Sequence, residues 1–213
     1  MFISRLPVTT ALVLWSLFQF AASAPGSGMR RLRVEPVLAS SAEDVALRAR
    51  IAGLAPTIDM REAAQVARTA YTTGRELRRK WQVTGMPGYH NYLVNTGARK
   101  GGLCFQWATE LLVRLHALNL QTIELHWVES YPGTGSEHNV IVVTAKGQPF
   151  WQGILLDNWR YGGRLAWGLV HADPHYEWNE NAGELARRLP REGPRGGSNQ
   201  AKRRVGPPPR VKG

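Results

Sequence analysis

The chain contains one cysteine, Cys104, in 213 residues. A single thiol cannot close an internal disulfide, and with no Cys-x-x-Cys pair there is no structural zinc site of that kind, so the fold must stand on its core. Acidic residues are also scarce, 16 against 27 Lys and Arg, which leaves a formal charge of +11. What is plentiful is apolar: 43% of the residues are hydrophobic and eight are tryptophan, which excludes a disordered or low-complexity chain. The length suits one domain with a sizeable core rather than two.

The positive charge is unevenly spread. From Gly183 onward, nine basic residues oppose only Glu184 and Glu192, so this end carries +7; Arg5 adds +1, and Pro25 to Ala182 holds the remaining +3. Residues 183–213 also include Gly193-Pro194, Gly196-Gly197 and Pro207-Pro208-Pro209 without apolar periodicity, and are expected to form a flexible basic tail. Such a tail either docks on an anionic surface (lipid head groups, acidic polymer or nucleic acid) or serves only solubility.

At the other end, Leu6 to Ala22 is an apolar run behind Arg5, closed by Ala21-Ala22-Ser23-Ala24. This has the layout of a secretory signal over residues 1–24, with a membrane anchor as the competing reading because the run is close to the ~20 residues that span a bilayer. Cleavage after Ala24 would place Pro25 just beyond the cut, which favours cleavage after Ser23 or retention as an anchor. Either way the body is expected outside the cytosol. Residues 25–38 are a connector, and 39–182 the single folded domain.

Within that domain, Ser40 to Leu54 and Asp59 to Trp81 carry helical signals. The second has Asp59 as N-cap, Glu62 three positions on, and Arg78, Arg79 and Lys80 at its C-terminal end. Gly85 to Asn95, with Pro87 and Gly88, is expected to be a loop. After Gly101-Gly102, the residues Trp107, Ala108, Leu111, Leu112, Leu115 and Leu118 form one helical stripe, with Glu110 and Arg114 as an i,i+4 pair on the other side. Gln121 to Glu129 alternates as a strand, His138 to Val143 is apolar on both faces and hence central, and Trp151 to Asp157 follows a turn at Lys146-Gly147-Gln148. Helices packed on one antiparallel sheet give an α+β fold.

The chemistry centres on Cys104. It opens the buried helix, where free N–H groups and the positive helix end favour a thiolate and can receive an oxyanion, and the two preceding glycines would let a ligand approach the backbone. A hairpin turn centred between Gly147 and Gln148 pairs Thr144 with Trp151, Val142 with Gly153, Val140 with Leu155 and His138 with Asp157. Opposed residues share a sheet face, so His138 would lie beside Asp157, and a slip of one residue would separate them. Nucleophile, imidazole and carboxylate are the set that acyl transfer needs: His138 as base and acid, Asp157 holding its tautomer. Against this stands the ordinary role of a lone cysteine as a small core residue.

These residues resemble the transglutaminase-like branch of the papain-like cysteine peptidases, and in particular the bacterial transglutaminase-like cysteine proteinases of the periplasm. The motifs are Gly102-Leu103-Cys104 with Trp107-Ala108, His138-Asn139-Val140, and Leu155-Leu156-Asp157-Asn158-Trp159, covering Gly101 to Trp159. The resemblance implies a papain- or transglutaminase-like core with Cys104, His138 and Asp157 as a catalytic triad, and a protein or peptide substrate. The chain departs from the family in two ways. No glutamine stands shortly before the nucleophile, so the second oxyanion donor is unassigned, and no acidic cluster marks a Ca²⁺ site, so neither metal nor cofactor is assigned.

Two functional readings result: an exported thiol protease or amidase, with hydrolysis and acyl transfer both open, and a non-catalytic exported binding domain tethered by its basic tail. His171-Ala-Asp-Pro-His175 matches no helix-based zinc spacing. The tryptophans Trp151, Trp159, Trp167 and Trp178 are read as core and cleft walls, because basic residues are not interleaved with them as a nucleic-acid platform would require.

Overall fold

A computed structural model describes residues 42–189. The expected leader, connector and the tail from residue 190 on lie outside these residues. The described part is α+β, with helices α1 (Ala42–Ala52), α2 (Met60–Lys80), α3 (Pro87–Asn95), α4 (Cys104–His116) and α5 (Ala182–Arg188). Strands β1 (Ile123–Ser130), β2 (His138–Ala145), β3 (Ile154–Tyr161), β4 (Arg164–Leu169) and β5 (Asn179–Glu180) form one antiparallel sheet in the order β4-β3-β2-β1-β5. Among the described residues no helix is long and apolar enough to cross a membrane.

The sheet separates two apolar layers. On one face Trp127, Ile141, Val143, Ile154 and Leu156 pack against Leu47 and Ile51 of α1, Val66 and Ala70 of α2, and Leu111, Leu112 and Leu115 of α4. On the other, Val128, Val140, Val142 and Leu155 are covered by Val170 and Trp178, with Tyr176 packed against them. Central β2 is therefore buried along its whole length, which is why its sequence shows no polar alternation.

Helix α2 is capped by Asp59, whose carboxylate accepts the Arg61 N–H at 2.7 Å. Glu62 does not turn back to that cap. It accepts from the backbone N–H groups of Gln121 (2.7 Å) and Thr122 (2.9 Å) and so ties α2 to the start of β1. The Glu110 and Arg114 pair is also not made. Lys80 binds Glu110 at 2.9 Å and Arg114 binds Glu76 at 2.5 Å, so both bonds join α4 to α2, because α2 runs alongside this partly exposed side of α4 and offers partners there.

Three boundaries differ from expectation. Residues 87–95 form helix α3 instead of a loop: Pro87 occupies its first turn, where a missing N–H costs nothing, and buried His90 anchors it. The hairpin connection is also longer than a tight turn: residues 146–153 separate the strands, Phe150–Gln152 coil into a 3-10 turn, and β3 begins at Ile154. Finally, the folded domain extends past Ala182. Helix α5 is capped by Asn181, and Leu185 and Leu189 pack against the core. Arg188 lies over the rings of Trp127 (4.6 Å) and Phe105 (5.1 Å). With Glu184, Arg187 and Arg188 thus in the folded part, +6 of charge falls beyond Leu189.

Candidate active site

Helix α4 begins at Cys104, and its N-cap residue Leu103 has no side-chain acceptor to offer. Gln106 supplies one from within the first turn: its Oε1 accepts the N–H groups of Gly102 (2.8 Å) and Leu103 (3.0 Å). This satisfies two donors just ahead of the helix and leaves the Cys104 N–H, which has no partner within the helix at this position. The Gly101-Gly102 pair is not an opening for a ligand, as expected from sequence, but a packing requirement. A Cβ on Gly101 would meet the Trp81 indole at 2.7 Å, and one on Gly102, whose φ is +125°, would meet His90 Nε2 at 2.4 Å. His90 Nε2 in turn bonds the Gly101 carbonyl at 3.0 Å, and Trp107 Nε1 donates to the Gly102 carbonyl at 2.9 Å. The backbone entering the nucleophile is thus clamped from both sides.

The β2–β3 ladder pairs Ile141 with Leu156, Val142 with Leu155 and Val143 with Ile154, which displaces the expected register by two positions. A shift of two leaves every side chain on its own face. His138 and Asp157 therefore still meet, diagonally rather than directly opposed, with Nε2 to Oδ2 at 2.7 Å and each residue only 1% exposed. The remaining nitrogen, Nδ1, is buried without a hydrogen-bond partner and is the one left to serve Cys104. The Cys104 thiol donates weakly to the Glu137 carbonyl at 3.5 Å, and Asn139 Nδ2 approaches the sulfur at 3.8 Å. The structure thus brings all three sequence-derived site residues, Cys104, His138 and Asp157, together at the open end of the hairpin.

Asp157 is held by more than the histidine. A register irregularity in β3 after Asp157 turns the N–H groups of Trp159 and Arg160 back onto its Oδ1, both at 3.0 Å. Arg160 Nε bonds Oδ2 at 2.9 Å, and its far end binds Asp173 at 2.6 Å. Asp173 also accepts from the His175 N–H (3.0 Å) and Trp178 Nε1 (3.2 Å). The result is a buried chain of alternating charge, Asp173, Arg160, Asp157, His138, that ends at the thiol. Aromatic rings enclose the imidazole: Trp159 at 4.6 Å, Tyr176 at 4.9 Å and Trp178 at 5.5 Å between centroids. Helix α3 supports this wall as well, since Asn91 accepts from Trp159 Nε1 at 3.1 Å.

These contacts set the protonation states. For Asp157, burial favours the neutral acid, but His138 and Arg160 outweigh it and the carboxyl titrates below its ordinary range. For His138, burial opposes the imidazolium, while the Asp157 carboxylate and the nearby Cys104 sulfur together prevail and push its pKa up to about 9. Burial also raises the Cys104 thiol, but His138 and then Asn139 pull it below the ordinary thiol value. Thiol down and imidazole up are the directions that favour a thiolate–imidazolium pair.

Arg160, Asp173, Asn139 and Gln106 carry no role in the sequence reading. Asn139 had a visible signal, since a residue adjacent to His138 on a strand must project to the opposite face, where α4 packs. Asp173 lay in the segment weighed only as a metal site. Among the described residues no group of three or more His, Cys, Asp or Glu is placed to hold a metal ion. Comparison with protein-family models, with curated proteins and with solved structures found no match.

Proposed function

We propose that the protein is an exported thiol enzyme that cleaves amide bonds in protein or peptide substrates, on a papain- or transglutaminase-like core. The observation that carries this reading is the 2.7 Å bond from His138 Nε2 to Asp157, which leaves Nδ1 facing the only thiol in the chain. Cys104 thiolate adds to the substrate carbonyl carbon. The oxyanion is received by the Cys104 N–H with a second donor, His138 Nδ1–H protonates the leaving amine, and water or an amine then releases the acyl group from the thioester. Which of the two arrives decides between hydrolysis and transfer. A cavity of about 650 Å³ starts at Phe105 and Gln106, directly after the nucleophile, and is walled by Trp81, Val113, Lys100 and Arg188. It offers room for a substrate chain beside α4.

Export rests on the apolar leader, and the seven basic residues from Arg191 to Lys212 are read as an anchor on anionic surface polymer or lipid. The enzyme reading is tested by iodoacetamide alkylation of the native protein across pH. Wild type should react with an apparent thiol pKa below the ~8.5 of free cysteine, and His138→Ala should lose this. Equal rates for the two proteins, with reaction only after denaturation, would make Cys104 a core residue and sink the reading.

A further inference from the structure

We propose that Asn139 is the second oxyanion donor of this site, the role left empty by the missing glutamine ahead of Cys104; this assignment rests on the thiol-enzyme reading above. Asn139 is 3% exposed, on the face of β2 that meets α4. Its amide orientation is settled by chemistry. The Trp127 indole Nε1, which can only donate, lies 3.1 Å from Oδ1, so the oxygen faces the indole and Nδ2 faces the nucleophile. One Nδ2 hydrogen is taken by Glu137 Oε1 at 3.0 Å. Glu137 is fixed in turn by the Gly133 N–H, which donates to Oε2 at 2.8 Å.

The other Nδ2 hydrogen is directed toward Cys104, with the nitrogen 3.8 Å from sulfur. That is long for a bond to the sulfur itself, but it suits an oxygen attached to a carbon that the sulfur has just attacked, since an oxyanion donor works at ~2.7–3.1 Å from that oxygen. The Cys104 N–H, freed by the way Gln106 caps the helix, is the first donor. Both are fixed before substrate arrives: one by the clamped Gly101-Gly102 backbone, the other by Trp127 and Glu137. The Trp127 N–H on Oδ1 draws density toward the oxygen and so strengthens the N–H aimed at the thiol, while Glu137 serves to fix the amide's orientation.

The step has a defined balance. With p-nitrophenyl acetate as probe, the thiolate pair forms the C–S bond while the carbonyl π pair moves onto oxygen, where Asn139 and the Cys104 N–H receive it. Collapse restores the carbonyl and expels p-nitrophenolate, leaving Cys104 as its acetyl thioester. Iodoacetamide instead displaces iodide at a saturated carbon and develops no oxyanion at the attacked centre. The two reagents therefore separate a donor to the transition state from a group that merely tunes the thiol.

The experiment uses the full chain and two variants, Asn139→Ala and the volume-matched Asn139→Leu, each checked for native near-UV circular dichroism. Both reactions are measured on the thiolate plateau of each protein, so that a change in thiol pKa does not enter. Acylation should fall ~100-fold while plateau alkylation stays near wild type. An unchanged ratio of acylation to alkylation, whether both fall or neither does, overturns the assignment. So does a native wild-type protein that alkylates rapidly yet acylates no faster than free cysteine. If wild type alkylates only when denatured, the thiol-enzyme reading fails first and the donor role falls with it.

Discussion

Replacing Asp157 by Asn changes one atom in the site, and its effect can be worked through. The Asn Oδ1 keeps the backbone N–H groups of Trp159 and Arg160, which now bond Asp157 Oδ1. Its amide nitrogen then takes the place of Oδ2, which faces His138 Nε2 and Arg160 Nε. An N–H donor there obliges Nε2 to accept, so the imidazole proton moves to Nδ1 and the ring can no longer take one from Cys104. The lost charge acts in the same direction. A carboxylate this close supports an imidazolium by ~1–3 pKa units, or about 1.4–4 kcal/mol, and His138 now stands at about 9.

Two limbs of the pH profile should move as a result. On the proposed mechanism, amide cleavage requires thiolate and imidazolium together, so activity should rise through the lowered thiol pKa and fall through about 9 as the imidazolium deprotonates. In Asp157→Asn the alkaline limb retreats toward neutral pH. The acid limb of iodoacetamide alkylation moves up toward or beyond the ordinary thiol value, because burial remains and the ion pair does not. Near pH 7.5 the alkylation rate should drop ~10- to 1,000-fold, the kinetic equivalent of 1–3 pKa units. Stopped-flow alkylation across pH 5–10 on folded protein measures this. An Asp157→Asn protein that alkylates with the wild-type acid limb would refute the coupling between carboxylate, imidazole and thiol.

Two further outcomes concern stability. Arg160→Met strips the shared cation from two buried carboxylates and should cost ~3–5 kcal/mol in urea unfolding. Adding Asp173→Asn should recover part of that, and strictly additive losses would show that the chain of charges is not one unit. Truncation after Leu189 should leave the melting temperature unchanged. Truncation after Ala182 removes Leu185, Leu189 and the Arg188 stack on Trp127, and should destabilise by ~2–4 kcal/mol. Equal melting temperatures for the two truncations would contradict the packing of α5.

The parts of the site that were legible in the sequence are those governed by parity. The face on which His138 and Asp157 sit depends only on whether the strand register is odd or even, so a hairpin misplaced by two residues still put them together, although the turn at Gly147 and Gln148 was wrong. Helix α4 was legible because its stripe from Trp107 to Leu115 is fully apolar. Helix α3 was not, since Pro87, Gly88 and two asparagines argue locally for a loop, and only tertiary anchoring through His90 and Asn91 makes it a helix. The Arg160–Asp173 pair was hidden for a related reason. The two residues lie 13 positions apart, and no periodicity links a strand residue to a loop that crosses back over the sheet.

The rings around His138 bear on where its proton can travel. Trp159, Tyr176 and Trp178 close off the imidazole's faces, and Asp157 holds one nitrogen in a site with almost no solvent contact. The other nitrogen, Nδ1, is buried as well and is the one left to serve the nucleophile. On the proposed mechanism, a proton taken from Cys104 would be held there until a departing group collects it. On that mechanism the enclosure would work as a one-door reservoir, linking the departure of each leaving group to the proton that created the nucleophile and discouraging the idle loss of that proton between turnovers.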